Sequence, residues 1–406
     1  MPFVSLPLIG HTVFSPILLV LLLGVVVYCL IEMRRHERNL ARIPIRIHVN
    51  GTRGKSSVTR LIAAGLRGGG VKTFAKTTGS AARMLHIDGS ESPVVRFSSP
   101  NIREQLGIVR QAAQERAEAL VIECMAVRPD LQRVSEKRIV RSTIGVITNV
   151  RPDHLEVMGP RLEDVALALS STTPRDGKLF TSEARFAEFL EKRAAERGST
   201  FHLTTPDREP SPAEMEQFAY VEIPENVALA LDVCEAAGVA RETALRGMYG
   251  VTPDIGAMTR TRVRRGAKEL IFYNAMAAND SESTVYLWKL LGLHESGDHE
   301  GGVLINNRGD RMRRAVEMAG IIGKDIRAAW YMVVGDQAPM FCDMAARNGV
   351  PREKLIPLGG RSPDEVLDRM FEKFSTVESV MGIGNIGGFG VKFMALLEEE
   401  GRKHGS

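Results

Sequence analysis

Ten residues, His48-Val-Asn-Gly-Thr-Arg-Gly-Lys-Ser-Ser57, hold the chain's most concentrated chemistry. Gly51 and Gly54 permit a tight turn whose backbone N–H groups converge on one anion. Lys55 would reach terminal phosphates, and the Ser56 hydroxyl would ligate the magnesium that accompanies them. Asn50, Thr52, Arg53 and Ser57 complete the candidate nucleotide contacts. The common phosphate-loop pattern has a further glycine five residues before Gly54, where this chain has Val49. Two more groups suit the same chemistry. Glu123 closes the apolar run Ala119–Glu123 and reads as a magnesium ligand. Asp153-His154 follows the run Ile144–Asn149, and an imidazole beside a carboxylate suits a second metal position. Lys55, Glu123 and His154 are the catalytic candidates, and Ser56, Glu123 and His154 the metal ligands.

These residues need rigid supports. Ile43, Ile45, Ile47 and Val49 alternate with Pro44, Arg46 and His48, which predicts a strand entering the loop. Val58 to Leu66 predicts an amphipathic helix leaving it, closed by the glycines 68–70. Lys72–Gly79 reads as a strand, Ser98–Asn101 as a turn, and Ile102 to Arg116 as a helix. The apolar runs ending at Glu123 and Asn149 read as buried parallel strands, whose C-terminal ends are where an open α/β sheet places ligands. Residues 183–222, with prolines at 206, 210 and 212, read as a peripheral connector. Pro224–Gly238 predicts a helix with Pro near its start and Gly at its end. Glycines and a proline between 250 and 256 mark a domain boundary.

A chain of 406 residues with 44% hydrophobic and 25% charged residues is that of a globular protein of two or three domains. A net charge of +4 does not point to nucleic acid. Cys29, Cys124, Cys234 and Cys342 are widely spaced and suggest neither a zinc site nor a disulfide framework. Residues 17–31 carry no charge, and with Val13 and Phe14 the apolar span matches a bilayer crossing. No Lys or Arg precedes it, whereas Arg34, Arg35, Arg38 and Arg42 follow, so the body should face the cytoplasm. The expected location is the inner (cytoplasmic) membrane, single-pass.

The loop, the strand ending in Glu123 and the segment Ile147-Thr-Asn149 leading to Asp153-His154 resemble, in this order, the Mur ligases and folylpolyglutamate synthetases. Lys76-Thr-Thr-Gly79, Glu123-Cys-Met-Ala-Val127 and Asp153-His-Leu-Glu-Val-Met-Gly159 resemble the ligase subunit of bacterial poly-γ-glutamate (capsule) synthases. The resemblance runs over nearly the whole chain. It implies an α/β fold: a P-loop Mur-ligase-like central domain (41–255), a smaller Rossmann-like C-terminal domain (256–406), and a transmembrane anchor with a basic juxtamembrane segment (1–40). It implies ATP and Mg2+ as cofactors, and glutamate and poly-γ-glutamate as substrate and product. The membrane and further membrane subunits of a capsule synthase are the implied partners; a homo-oligomer is left open. A Mur-type ligase of another amino acid and a P-loop ATPase coupled to polymer export remain the alternatives. One departure matters: where those ligases carry a carbamoylated lysine, this chain has Ser170, and Lys178 follows Pro174 outside that helix.

Beyond residue 270 short apolar runs alternate with helical periodicity, which predicts a second, mostly parallel sheet. By resemblance the loop 274–281, with Asn279, lies over the nucleotide. The loops 306–311 and 382–388 resemble capsule-ligase segments, with Gly387 where the family more often has His. Arg260, Arg262, Arg264 and Arg265 form one arginine group and Arg308, Arg311, Arg313 and Arg314 another. Arg260, Arg262, Arg308 and Arg311 are the candidate contacts for an anionic acceptor, because guanidinium groups pair with carboxylates through two hydrogen bonds.

Overall fold

A computed structural model describes residues 10–78, 82–96, 100–253, 258–276, 281–293 and 301–403. The chain forms two compact units, Met1–Gln217 with Ile223–Thr252, and Phe218–Glu222 with Pro253–Ser406. Asn279 lies outside the described residues, as do the side chains of Arg311 and Arg313.

The first unit begins with helix α1 (Gly10–Ala41). Its segment Pro16–Ala41 has a mean hydropathy of 2.6 in its most apolar window, with no part of that window buried. Among the described residues this is the one helix long and apolar enough to cross a membrane. The basic juxtamembrane residues Arg34, Arg35 and Arg38 belong to the same helix. Its last turn docks: Leu40 packs with Ile43, Ile108, Val109, Ala112 and Val140.

Eight strands follow: β1 (Ile45–Asn50), β2 (Thr73–Lys76), β3 (Arg83–Leu85), β4 (Glu91–Pro93), β5 (Ala119–Glu123), β6 (Ile144–Ile147), β7 (Lys178–Thr181) and β8 (Thr200–Leu203). They form one sheet in the order β4-β3-β2-β5-β1-β6-β7-β8. Strands β2, β5, β1, β6, β7 and β8 are parallel, and β3 and β4 add an antiparallel extension. Strand β1 lies between β5 and β6, so the chain leaves it in one direction along the sheet and later returns on the other side. The C-terminal ends of these three strands border one crevice, where open α/β sheets bind ligands. Strand β7 extends the sheet, and the edge strand β8 lies within 183–222, so that segment adds to the sheet and is not only a connector. Lys-Leu-Phe-Thr and Thr-Phe-His-Leu are too short and too mixed to announce themselves.

Helix α2 (Lys55–Gly68) leaves the loop with nine consecutive buried residues from Val58 to Leu66. The helices Pro224–Ala236 and Arg241–Met248 cover it. This burial on all sides explains why its sequence shows so few charges before Arg67.

The second unit carries a six-stranded sheet of β9 (Thr259–Arg265), β10 (Lys268–Asn274), β11 (Gly302–Asn307), β12 (Trp330–Gly335), β13 (Leu355–Pro357) and β14 (Val377–Gly384). The order is β13-β12-β11-β14-β10-β9, parallel except for the edge strand β9. Phe272, Leu304, Met332, Val380 and Phe393 fill its core. The first arginine group therefore lies on an edge strand whose Arg-Thr-Arg-Val alternation is the period of a half-exposed strand.

Candidate active site

Loop 51–54 is held by the end of β6. The amide of Thr52 donates to the Asn149 carbonyl at 3.1 Å, and the amide of Thr148 to the Asn50 carbonyl at 2.9 Å. The Asn149 side chain accepts from the Thr52 hydroxyl (2.7 Å) and the Arg53 amide (3.0 Å), and donates to the Arg53 carbonyl (3.2 Å). Both loop glycines are required by geometry. Gly51 has φ +133° and Gly54 φ +77°. A Cβ on Gly51 would lie 2.0 Å from the Thr148 hydroxyl, and one on Gly54 2.9 Å from the Asn226 side chain. Position 49, by contrast, is a fully buried strand residue paired with Glu123, so Val is suited there and a glycine is not needed.

Lys55 folds back over the loop and donates to the carbonyls of Gly51 (2.8 Å) and Thr52 (3.1 Å). Its ammonium is thus already above the turn that would cradle phosphates. Asn50 faces inward, donating to Gln132 (2.8 Å) and the Thr172 hydroxyl (3.1 Å), so it braces the loop.

Glu123 ends β5 with its carboxylate beside the start of α2. One oxygen accepts from the Ser56 hydroxyl at 2.9 Å and from the Thr78 amide at 2.7 Å; the other accepts from the Thr78 hydroxyl. Ser56, Glu123 and Thr78 together offer hard oxygen donors, the set a divalent cation such as magnesium or manganese prefers. The sequence gives Thr78, inside the segment Lys76-Thr-Thr-Gly79, no role of its own, because a threonine after a strand has no distinctive spacing.

Asp153 and His154 border the same cleft, of about 310 Å³, as Asn50, Gly51, Lys55, Thr78 and Arg96. His154 adopts φ +45°, with its side chain 48% exposed. Its ring nitrogens lie 4.0 Å from Asp153 and 3.4 Å from Glu156. Asp153 also approaches Arg53 at 3.6 Å. Ser170, where the resemblance expects a modified lysine, is fully buried and donates back to the Leu167 carbonyl at 2.8 Å. Lys178 starts β7, opposite Ile144 at the N-terminal end of β6, and so lies at the other edge of the sheet.

Two buried ionic groups support this edge; both His48 and Lys76 lie within the motifs named above, but the sequence assigns neither side chain a role. Lys76, at the end of β2, is fully buried and pairs with Glu104 at 2.9 Å; Glu104 also holds Arg96 through two bonds of 2.7 and 3.2 Å. Burial lowers the Lys76 pKa, against the opposing pull of Glu104. His48 in β1 pairs with Glu136 at 2.8 Å, both fully or almost fully buried. Burial opposes its charge, but the Cys124 sulfur and the Glu136 carboxylate outweigh burial and raise its pKa to about 9.

In the second unit the loops after β11 and β14 interlock. Asn306 donates to the carbonyls of Asn385 (2.5 Å) and Gly387 (3.0 Å), and the Arg314 guanidinium reaches Asn385 at 3.4 Å. Arg308 is paired with Asp310 at 2.8 Å, and a Cβ on Gly387 would lie 2.9 Å from its guanidinium. Arg308 thus occupies space into which a larger residue at 387 would point. On β9, Arg260 is exposed, Arg262 and Arg264 lie 3.9 and 3.4 Å from Glu269, and Arg265 pairs with Asp368 at 2.6 Å.

Residues 49–217 match the Mur ligase middle domain, and residues 260–400 match the poly-gamma-glutamate synthase CapB C-terminal domain. The fold is that of E. coli FolC in complex with ADP (TM-score 0.65, 14% identity, 91% of this chain and 93% of that one). MurF from Acinetobacter baumannii is similar too (TM-score 0.64, 14% identity, 92% and 79%). So is the Yersinia pestis folylpolyglutamate synthase/dihydrofolate synthase complexed with AMPPNP and Mn (TM-score 0.60, 15% identity, 90% and 92%). The family match over the loop and the sheet edge makes this chain an ATP-dependent amide ligase of the Mur ligase type. The capsule biosynthesis protein CapB of Bacillus anthracis is 36% identical over 377 residues, 92% of this chain and 81% of that protein. The PGA synthase CapB of Bacillus subtilis (strain 168) is 34% identical over 366 residues, 90% and 93%. The chain belongs to the CapB family of poly-γ-glutamate synthases.

Proposed function

We infer that this chain joins glutamate through its γ-carboxylate into poly-γ-glutamate, using ATP. The observation that carries the reading is the Ser56–Glu123–Thr78 cluster beside the Lys55 loop, at the edge where β5, β1 and β6 end. The γ-carboxylate oxygen attacks the terminal phosphorus of ATP, giving an acyl phosphate and ADP. An amine then attacks the acyl carbon, phosphate departs, and the nitrogen loses its proton. Lys55 and the first-turn amides of α2 face the charge that spreads over the transferred phosphoryl group. Ser56, Glu123 and Thr78 would hold magnesium, which when bound neutralises phosphate charge. His154 would serve a second cation, completed by groups other than residue 170, since Ser170 is turned inward. Asn50, Gly51, Thr52, Arg53, Gly54 and Ser57 shape the nucleotide cradle. Arg260, Arg262, Arg308 and Arg311 remain candidates for the anionic acceptor, and Asn279 for the nucleotide.

The body is cytoplasmic in this reading, anchored by a single pass of α1 in the inner membrane and working with other membrane subunits. Positive charge on the C-terminal side of the apolar run supports that orientation. The test is Lys55→Ala, with labelled glutamate and ATP. Product formation should fall at least a hundredfold, roughly the cost of losing one donor to a transition-state charge, while circular dichroism stays unchanged. ATP turnover that proceeds equally without glutamate would favour a transport ATPase instead.

A further inference from the structure

A second cavity of the first unit is remote from the chemistry. It measures about 1150 Å³ and opens between α1 and the body. One wall is a single helix face, Cys29, Glu32, Met33, His36 and Glu37; the other includes Lys137, Arg138, Arg141, Arg175 and Arg197. The helix is fixed against the body here. His36 bonds the Ile139 carbonyl at 2.9 Å, and Arg46 bridges the Leu40 carbonyl of the helix (3.4 Å) to the Arg141 carbonyl (2.9 Å).

The depth of this cleft is set by the helix. Its exposed apolar run ends at Ile31. A headgroup layer about 5–7 Å thick spans roughly three to five helical residues at about 1.5 Å each. Residues 32–36 therefore lie at headgroup level, and the cavity opens there.

Its charges are unevenly satisfied. Glu136 is committed to His48, Glu196 to Arg193, Asp176 to Arg175 and Glu37 to Arg141, while Glu32 on the helix wall has no ion-pair partner among the described residues. Lys137 and Arg138 are exposed, and among the described residues neither has an acid within ion-pair distance. We propose that this cleft is a binding site for an anionic phospholipid headgroup, whose phosphate is held by Lys137 and Arg138 on the body wall, across from Glu32 of α1. The inference rests on α1 crossing the membrane. Such a lipid would fix the body against the bilayer, because it touches both the span and the catalytic unit.

The experiment uses the full-length protein in nanodiscs of equal phosphatidylcholine and phosphatidylglycerol, with retained lipids identified by native mass spectrometry. The wild type should retain phosphatidylglycerol over phosphatidylcholine roughly tenfold or more. The double variant Lys137→Glu with Arg138→Glu should fall to the bilayer ratio while still binding nucleotide. Replacing Arg34 and Arg35, which do not line the cleft, with Gln should leave the enrichment in place. No enrichment in the wild type, equal loss in both variants, or displacement of the lipid by added poly-γ-glutamate would overturn the site. Alkaline carbonate extraction separates the two readings: release of the protein defeats the membrane span itself, whereas retention without lipid enrichment defeats only this inference.

Discussion

The buried pair His48–Glu136 should make the stability of this protein depend on pH in a definite direction. His48 lies in β1 two residues before the phosphate loop, and Glu136 accepts from its Nδ1 at 2.8 Å and from the Ser142 amide at 2.9 Å. An unfolded histidine titrates at about 6.5, whereas the folded one is raised to about 9. The folded state therefore holds its proton more tightly. That contribution is complete below about pH 6.5 and is lost as pH rises through about 9. The interval corresponds to about 3 kcal/mol, supplied against burial by the Cys124 sulfur and the Glu136 carboxylate together. Glu136→Gln keeps the shape and removes the charge. Urea unfolding followed by far-UV circular dichroism at pH 6, 7.5 and 9.5, in detergent, measures the effect. The wild type should lose about 3 kcal/mol across this range; the variant should start lower and show a shallower slope, keeping only the part of the shift that Cys124 supplies. A wild-type stability that is flat or rises from pH 6.5 to 9, or a variant that keeps the wild-type slope, would refute the assignment of a charged His48.

Other outcomes follow from the same edge of the sheet. Glu123→Gln should weaken ADP binding about tenfold or more in the presence of magnesium and little without it, as read by calorimetry with and without the metal. Lys76→Met leaves Glu104 with only Arg96, so unfolding should become easier by about 2 kcal/mol, the low side for a buried pair because one cation remains. Turnover should not depend on bicarbonate, since residue 170 is a serine bonded to its own helix; activity lost in bicarbonate-free buffer and restored by its addition would place a modified lysine elsewhere.

Much of the site was legible in the order of residues, because a phosphate loop is made by backbone. Two glycines, a lysine and a serine at fixed spacing between an alternating run and a helical one determine their own local geometry, and the apolar runs ending in Glu123 and Asn149 declare parallel strands. The apolar segment before Glu32 likewise declares its length. What the order of residues could not disclose is which side chains meet across elements. Thr78 meets Glu123 across 45 positions, His48 meets Glu136 across 88, and Asn149 grips the loop from 96 away. None of these pairings has a local signature, since their partners are chosen by strand order. The same holds for β7 and β8, whose four-residue strands exist because β6 offers an edge to pair with. The Arg-Thr alternation of β9 was visible as charge, yet only its pairing with β10 makes it an edge strand. Tertiary structure also decided the fates of two lysines. Parallel register puts Lys178 at the N-terminal edge of the sheet, away from the chemistry, and Lys76 at the C-terminal edge beside it.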